Sequence, residues 1–273
     1  MRTKIFFSDL DGTLLDDDKN VSEKDLASIY SMLDMGHRFV IATGRPIFSA
    51  KLVAKNLKLY REGIFIAASN GGVIYECGAE KIISSSCLDP DTVDMLFRAA
   101  LLEGLSVHTY TDDFVVSVVK TPEIEAYTSR IMMPFKMLGS IPEDLPAPPP
   151  KLIVMSIKEG SRKRLEEFER SHAALVAGRA QSVFSNDFLL EYLPLGVSKG
   201  RALEVLCDLL GIPASDSIAA GDEANDIPML EAAGVGAVMF NGTDEAKSHA
   251  DYVAAHSNNE SGVSEIIEKF VLG

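Results

Sequence analysis

The run Ile5-Phe6-Phe7-Ser8-Asp9-Leu10-Asp11-Gly12-Thr13 constrains this chain more than any other stretch. Ile5, Phe6 and Phe7 form a short, wholly apolar run of the kind found in strands buried on both faces of a parallel sheet. Such a strand delivers Asp9 to its carboxyl end, and Gly12 permits the sharp turn that a Cβ would obstruct. In open α/β sheets, ligands gather at that edge. Two carboxylates two residues apart are expensive there, because like charges about 4 Å apart repel by about 4 kcal/mol at an effective dielectric near 20. A fold retains such a pair where a cation neutralises it, or where one carboxyl stays protonated.

The grammar of strand followed by helix continues from Lys4 to Asn70. Ser22 with Asp25 three residues later resembles a capping box, Leu26, Ile29 and Leu33 make an apolar stripe, and Gly36 ends the helix. Phe39 to Ala42 is a second buried strand, ending at Thr43-Gly44-Arg45, and Ile64 to Ala67 is a third, ending at Ser69-Asn70-Gly71-Gly72. The pattern resumes late. Ser198 caps a helix carrying Leu203, Leu206 and Leu210, with Gly211 as its stop. Ser217 to Ala220 is a strand ending at Gly221-Asp222, a helix follows from about Asp226 to Gly234, and Val235 to Phe240 is another strand. A last amphipathic helix, Gly262 to Val271, presents Val263, Ile266, Ile267 and Phe270. These repeats predict an α/β fold, a Rossmann-like doubly wound parallel sheet covered on both faces.

Between the two blocks, from Ser84 to Glu191, the texture changes. Strands such as Phe114 to Val119 and Lys151 to Met155 lack glycine-and-acid tips, which reads as an inserted α+β domain. The expected division is therefore a core of residues 1–83 and 192–273 with an insertion of residues 84–191. Proline-rich Pro142 to Pro150 reads as a stiff loop inside the insertion, with a domain linker as the alternative.

Composition narrows the function classes. A formal net charge of −14 over 273 residues argues against general affinity for nucleic acid or an anionic membrane. It leaves an anionic small molecule open, since local positive groups decide that. Cys77, Cys87 and Cys207 are an odd count without metal-ligand spacing, as expected of thiols in a reducing compartment. The early apolar run stops at Phe7, so no signal peptide is read, no membrane span of about 18 residues is present, and the cytoplasm is the expected location. His37, His108, His172, His249 and His256 lack zinc-ligand spacing. An EF-hand over Asp9 to Asn20 fails at Leu14, where glycine is needed, and at Asn20, where glutamate is needed. Gly234-Val235-Gly236 opens a strand where a dinucleotide loop would close one, and no serine sits in a Gly-x-Ser-x-Gly elbow.

What remains is a set of polar strand and helix tips suited to one task. Asp9 and Asp11 offer oxygen ligands and a nucleophile, Thr43 a hydroxyl, Lys199 a positive charge, and Gly221-Asp222-Glu223-Ala224-Asn225-Asp226 a second acidic cluster. Hard oxygens around a small divalent cation suit Mg²⁺. With these residues in view, the chain resembles the haloacid dehalogenase superfamily, and within it the Cof-type branch, whose larger α+β cap is inserted after the third core strand. The four motifs stand in order: Asp9-Leu10-Asp11-Gly12-Thr13, Thr43-Gly44-Arg45, Lys199-Gly200, and Gly221-Asp222 through Asn225-Asp226.

The resemblance implies a Mg²⁺-dependent phosphohydrolase acting on a small phosphate ester, such as a sugar phosphate or phosphorylated cofactor. Asp9 would be the nucleophile and form an aspartyl-phosphate, and Asp11 the acid and then the base. Asp9, the carbonyl of Asp11, and Asp222 would hold the metal. Thr43, Lys199 and the amide of Leu10 would bind phosphoryl oxygens, with Gly44, Arg45, Asn70 and Asn225 also along the substrate. Asn225 and Asp226 would orient Lys199 and the metal's waters. Four acids (Asp9, Asp11, Asp222, Asp226) against Mg²⁺ and Lys199 leave a phosphate dianion poorly bound unless the metal is present. Glu223 departs from the branch, which often has Asn there, and reads either as a solvated neighbour or as an extra group near the metal. Arg45 reads either as a substrate or cap contact or as a structural ion pair. The cap would close over the core, with Asn70, His108, Tyr110, Asp113, Tyr127, Arg130 and Glu191 as candidates for its recognition surface. A phosphomutase or phosphotransferase on the same core, and a non-catalytic sensor of a phosphometabolite, are the alternatives.

Overall fold

The computed structural model describes residues 2–273. The chain divides into two compact units: one takes the chain through Gly44 with Ala50–Ser84 and Ser198–Gly273, the other Arg45–Ser49 with Ser85–Val197. In chain order the first unit opens with β1 (Ile5–Ser8), α1 (Glu23–Asp34), β2 (Arg38–Ala42), α2 (Ile47–Asn56), whose first residues group with the second unit, β3 (Ile64–Ala68), β4 (Val73–Glu76) and β5 (Lys81–Ser85). The second unit follows as α3 (Pro90–Leu102), β6 (Ser106–Tyr110), β7 (Val115–Ser117), α4 (Pro122–Ile131), β8 (Phe135–Met137), β9 (Leu152–Met155), α5 (Ser161–Val176), β10 (Ala180–Asn186) and β11 (Leu189–Pro194). The chain then returns as α6 (Lys199–Leu210), β12 (Ser217–Gly221), α7 (Ile227–Ala232), β13 (Val235–Val238), α8 (Asp244–Ser248), β14 (Tyr252–Val253) and α9 (Gly262–Ile267).

The first unit's sheet has the order β14-β13-β12-β1-β2-β3-β4-β5. β1 pairs in parallel with β2 on one side and with β12 on the other, Ser8 standing opposite both Ile41 and Ala220. The chain winds outward in one direction from β1 and later in the other, so the strand order reverses at β1. That reversal opens a crevice at the carboxyl edge. Both faces are covered, as the apolar runs predict. Phe7, Val40 and Phe65 pack with Leu203, Leu206 and Met229, while Phe6 and Phe39 stack with ring centroids 5.8 Å apart.

The doubly wound parallel core with a further α+β unit agrees with the sequence-based expectation, and the differences are local. β4 and β5 lie beyond the strands that the sequence pattern predicts: β4 pairs antiparallel with β3, so the chain adds two strands before it leaves the sheet. In α1 the inward face is Asp25, Ser28, Ile29 and Met32, with Leu26 and Leu33 only half-buried. Polar residues occupy that face because Asp25 accepts the Ser264 amide at 2.6 Å and Ser28 bonds Ser264 at 2.7 Å, contacts invisible to apolar periodicity. β13 ends at Val238 and β7 covers only Val115–Ser117, both shorter than their apolar runs. α9 stops at Ile267 and continues as a wider π-helical turn over Glu268–Leu272. The wider turn rotates the tail, so Val271 is buried where Phe270 was expected.

The second unit's sheet has the order β10-β11-β9-β6-β7-β8, antiparallel except for β7 with β8. Strand alternation divides its cores. Leu152 and Val154 pack under α3 and α5 with Phe97 and Phe168, whereas Ile153 and Met155 pack with Ile124, Tyr127 and Ile131 of α4. Proline-rich 142–150 lies within this unit, as a loop before β9. Among the described residues, no helix is long and apolar enough to cross a membrane.

Glu265 pins the C-terminal segment to the sheet edge. Its carboxylate accepts from the Tyr252 hydroxyl, the amides of Ala255 (2.9 Å) and His256 (3.1 Å), and the His256 ring. Burial pushes this carboxyl up, but these donors outweigh it and bring it from 4.5 down to about 2. A carboxyl depressed in the folded state contributes stability that is complete above its unfolded value and fades as pH falls toward its folded value. Glu265→Gln should therefore destabilise the protein near neutral pH by about 2 kcal/mol, the scale of hydrogen bonds to a charged group. In thermal melts the gap to the parent should narrow as pH falls from about 5 to about 3. A gap that does not change with pH would overturn this account.

Candidate active site

Three strand ends and one helix start meet at the reversal point. Asp9 follows β1 directly, and its amide donates to Ala220 at 2.9 Å, carrying the parallel pairing one residue past the strand. Ser8 donates its hydroxyl to the Asp9 carbonyl at 2.8 Å. Ser198 caps α6 by accepting the Arg201 amide, and so Lys199 is placed in the first turn. Lys199 is fully enclosed and donates to Asp9 Oδ1 at 2.6 Å and to Asp226 Oδ1 at 2.5 Å. The other oxygen of Asp226 accepts the amides of Asp222 (2.9 Å) and Glu223 (3.1 Å). Asp222 accepts the Thr13 hydroxyl at 2.8 Å.

Carboxylate oxygens of Asp9, Asp222 and Asp226 all lie within 4.8 Å of one another, and all three residues are buried. Burial, partly opposed by Lys199 and reinforced by Asp226 and Asp222, pushes the Asp9 carboxyl up to about 8. Burial also raises Asp222 to about 7, despite the Thr13 hydrogen bond. Burial pulls Lys199 down, but Asp226 and Asp9 outweigh it and hold its ammonium above the ordinary lysine value. Both oxygens of Asp226 are engaged by Lys199 and two amides, so Asp9 and Asp222 are the carboxylates whose hard oxygens suit a small divalent cation here.

Glycines make this crowding possible. At Gly12, φ is +86° and an added Cβ would stand 2.3 Å from Asp222 Oδ2, so the turn after β1 and the acid loop nearly touch. At Gly221 a Cβ would strike the Asp226 carboxylate, 2.7 Å from Oδ2. At Gly200 it would strike the Pro228 carbonyl oxygen at 2.1 Å, which is why α6 and α7 meet backbone to backbone and Lys199 reaches Asp226.

The other expected residues are distributed as follows. Thr43 is buried beyond β2, its amide bonded to Ala67 and its carbonyl to the Asn70 amide. Asn70 is buried in a left-handed turn with φ 57°, and its side chain stands close to Gly44. Leu10 is buried and its carbonyl accepts the Leu15 amide at 2.8 Å. Asp11 lies outside the carboxylate cluster. Its side chain is partly exposed and pairs with Lys19 at 3.0 Å. Asn225 is half-buried in the 3₁₀ turn Ala224–Asp226. Glu223 is exposed and its carboxylate caps that same turn, accepting the Asp226 amide. Arg45 is half-buried and groups with the second unit.

In the second unit, His108, Tyr110, Tyr127 and Glu191 converge on the α4 side of the sheet. Tyr110 bonds Tyr127 at 2.6 Å and His108 at 3.2 Å. Glu191 forms a buried pair with Lys151 at 2.8 Å and accepts Ser185 at 2.6 Å. Burial, helped by Lys151, pushes His108 down to about 3, so it is a neutral ring. Arg130 stands over the Tyr127 ring, 5.5 Å from its centroid, whereas Asp113 is exposed in the turn after β6. In the sequence pattern Lys151 is visible only as part of a strand, and Thr13 only as part of a motif. Both turn out to hold acids, and a lysine heading an apolar strand was the one available signal for Lys151.

The chain matches the family of haloacid dehalogenase-like hydrolases over residues 6–267. It is 30% identical to the Bacillus subtilis protein YwtE, a 5-amino-6-(5-phospho-D-ribitylamino)uracil phosphatase, with 97% of each chain covered. It is 28% identical to the HMP-PP phosphatase of Enterobacter sp. (strain 638), covering 92% of this chain and 90% of that one. A crystal structure of a haloacid dehalogenase-like hydrolase from Bacteroides thetaiotaomicron superposes with a TM-score of 0.89 at 28% identity, covering 98% of this chain and 99% of that one. By fold, by motif and by full-length relatives that are phosphatases, the chain belongs to the haloacid dehalogenase-like hydrolases, as a phosphatase of the Cof-type branch.

Proposed function

We propose that this phosphatase hydrolyses a small phosphorylated metabolite, a sugar phosphate or a phosphorylated cofactor, by way of an aspartyl-phosphate. The buried arrangement Asp9–Lys199–Asp226 beside Asp222 carries the reading, since a mere binder of phosphate has no use for three enclosed acids. A carboxylate oxygen of Asp9 attacks phosphorus as the ester P–O bond breaks, and Asp11 delivers its proton to the departing oxygen. Water then attacks the phosphorus of the acyl phosphate, Asp11 takes its proton, and the bond to Asp9 breaks to release inorganic phosphate. Lys199 and the Thr43 hydroxyl hold the phosphoryl oxygens, and Asp226 keeps Lys199 aimed at Asp9. Asp9, Asp222 and the Asp11 carbonyl would hold Mg²⁺, which when bound neutralises the acids and polarises the phosphoryl oxygens. Both named relatives act on phosphorylated small molecules, which supports that substrate class.

A panel of phosphorylated metabolites, scored for released phosphate, tests the proposal. Release should vanish with EDTA, return with Mg²⁺, and fall by at least about a thousandfold in Asp9→Asn. Phosphate passed to an added sugar with little release to water would convert the assignment to phosphotransfer. Retained turnover in Asp9→Asn would end the nucleophile assignment.

Gly12→Ala offers a geometric check. A methyl group there collides with the Asp222 carboxylate and strains a left-handed turn, so kcat should fall about a hundredfold while circular dichroism shows a folded protein. Near-parental turnover would mean that Asp222 need not stand so close to the Asp11 loop.

A further inference from the structure

The segment from Asp11 to Asn20 belongs to no helix or strand pairing with the sheet, yet it carries the side chain that must exchange a proton with the substrate. Its internal bonds include Leu15 amide to Leu10 carbonyl at 2.8 Å, Asp16 amide to Asn20 carbonyl at 2.9 Å, a bridge between Asp11 and Leu15, and the exposed pair of Lys19 with the Asp11 carboxylate at 3.0 Å. Leu14 and Leu15 are buried beneath it. Its carbonyls are met from the far end of the sequence by asparagines. Asn241 donates from Nδ2 to the Gly12 carbonyl at 2.8 Å, and Asn258 donates from Nδ2 to the Leu15 carbonyl at 2.9 Å. The two are joined, because the Asn258 amide donates to Asn241 Oδ1 at 3.0 Å. Asn259 and Asp17 exchange two further bonds, of 3.0 and 3.1 Å, at the outer end of the loop.

We infer that Asn241 and Asn258 form a clamp that sets the position of Asp11, and are positioning residues for proton transfer to the leaving group. The amide side chain suits the task because it gives a donor and an acceptor in one rigid plane. Asn241 uses both, gripping Gly12 on one side and Asn258 on the other. Gly12 and Leu15 both adjoin the Asp11 backbone, one as its chain neighbour and the other as its bridge partner, while Lys19 meets its carboxylate. Displacing an acid by about 1 Å can slow a reaction about a hundredfold, so the clamp bears on rate even though it touches no substrate.

The inference rests on Asp11 being the acid, and the test separates the two. With Mg²⁺ present, kcat/KM is measured for p-nitrophenyl phosphate and for phenyl phosphate, which differ little in size but greatly in how much the leaving oxygen needs a proton. Since kcat/KM stops at the first irreversible step, hydrolysis of the aspartyl-phosphate does not enter it. Asp11→Asn should raise the p-nitrophenyl to phenyl ratio by at least about tenfold. Asn258→Ala and Asn241→Ala should raise it in the same direction, by about three- to tenfold, with a folded circular dichroism spectrum. Asn241 is exposed, so its variant decides the matter should the buried Asn258→Ala not fold. A ratio unchanged in the asparagine variants but raised in Asp11→Asn overturns the clamp alone. A ratio unchanged in Asp11→Asn overturns the acid assignment and the clamp with it.

Discussion

The buried ammonium of Lys199, shared between Asp9 and Asp226, is the interaction on which the rest of the first unit depends. Removing one partner from such a group leaves an uncompensated charge in the interior, at a typical cost of about 3–5 kcal/mol. Everything around it limits that exposure. Asp226 has both oxygens occupied, one by Lys199 and the other by two amides, which leaves it no freedom to turn away. Asp222 is held by Thr13. Even so, Asp9 and Asp222 remain acids that burial resists ionising. The acids are incompletely balanced by Lys199, and that imbalance is the affinity the cluster has to offer a cation.

Topology makes this possible at modest cost. Parallel register brings Ser8, Ile41 and Ala220 level with one another, so residues one or two positions further along emerge side by side without any long-range design of loops. The glycines then let backbones approach more closely than side chains would allow. The strand ends supply the groups, and the missing Cβ atoms supply the spacing.

The sequence made the core strands legible because their apolar runs stop sharply at glycine, acid or threonine; three of the four site motifs lie at those stops, and the fourth, Lys199-Gly200, opens α6 behind its Ser198 cap. It was less informative wherever a polar residue faces inward for a partner far along the chain. Asp25 and Ser28 sit on the inner face of α1 because of Ser264, and no periodicity announces that. Lys151 and Glu191 lie 40 residues apart and became a pair only when β9 and β11 were seen to be neighbours. Asn241 and Asn258 look like ordinary loop residues until their carbonyl partners at Gly12 and Leu15 are known. Val271 rather than Phe270 faces inward for a different reason, a wider final turn that a 3.6-residue period does not describe.

The backbone contact at Gly200 has a consequence for how such an enzyme can diversify. With the Pro228 carbonyl lodged where a side chain would start, the first turn of α6 and the entry to α7 form a single mechanical piece. Spacing between the lysine and its acids is then inaccessible to gradual tuning by neighbouring substitutions. A substitution that lengthened either segment at this contact would have to move both helices together, and Lys199 with Asp226 along with them.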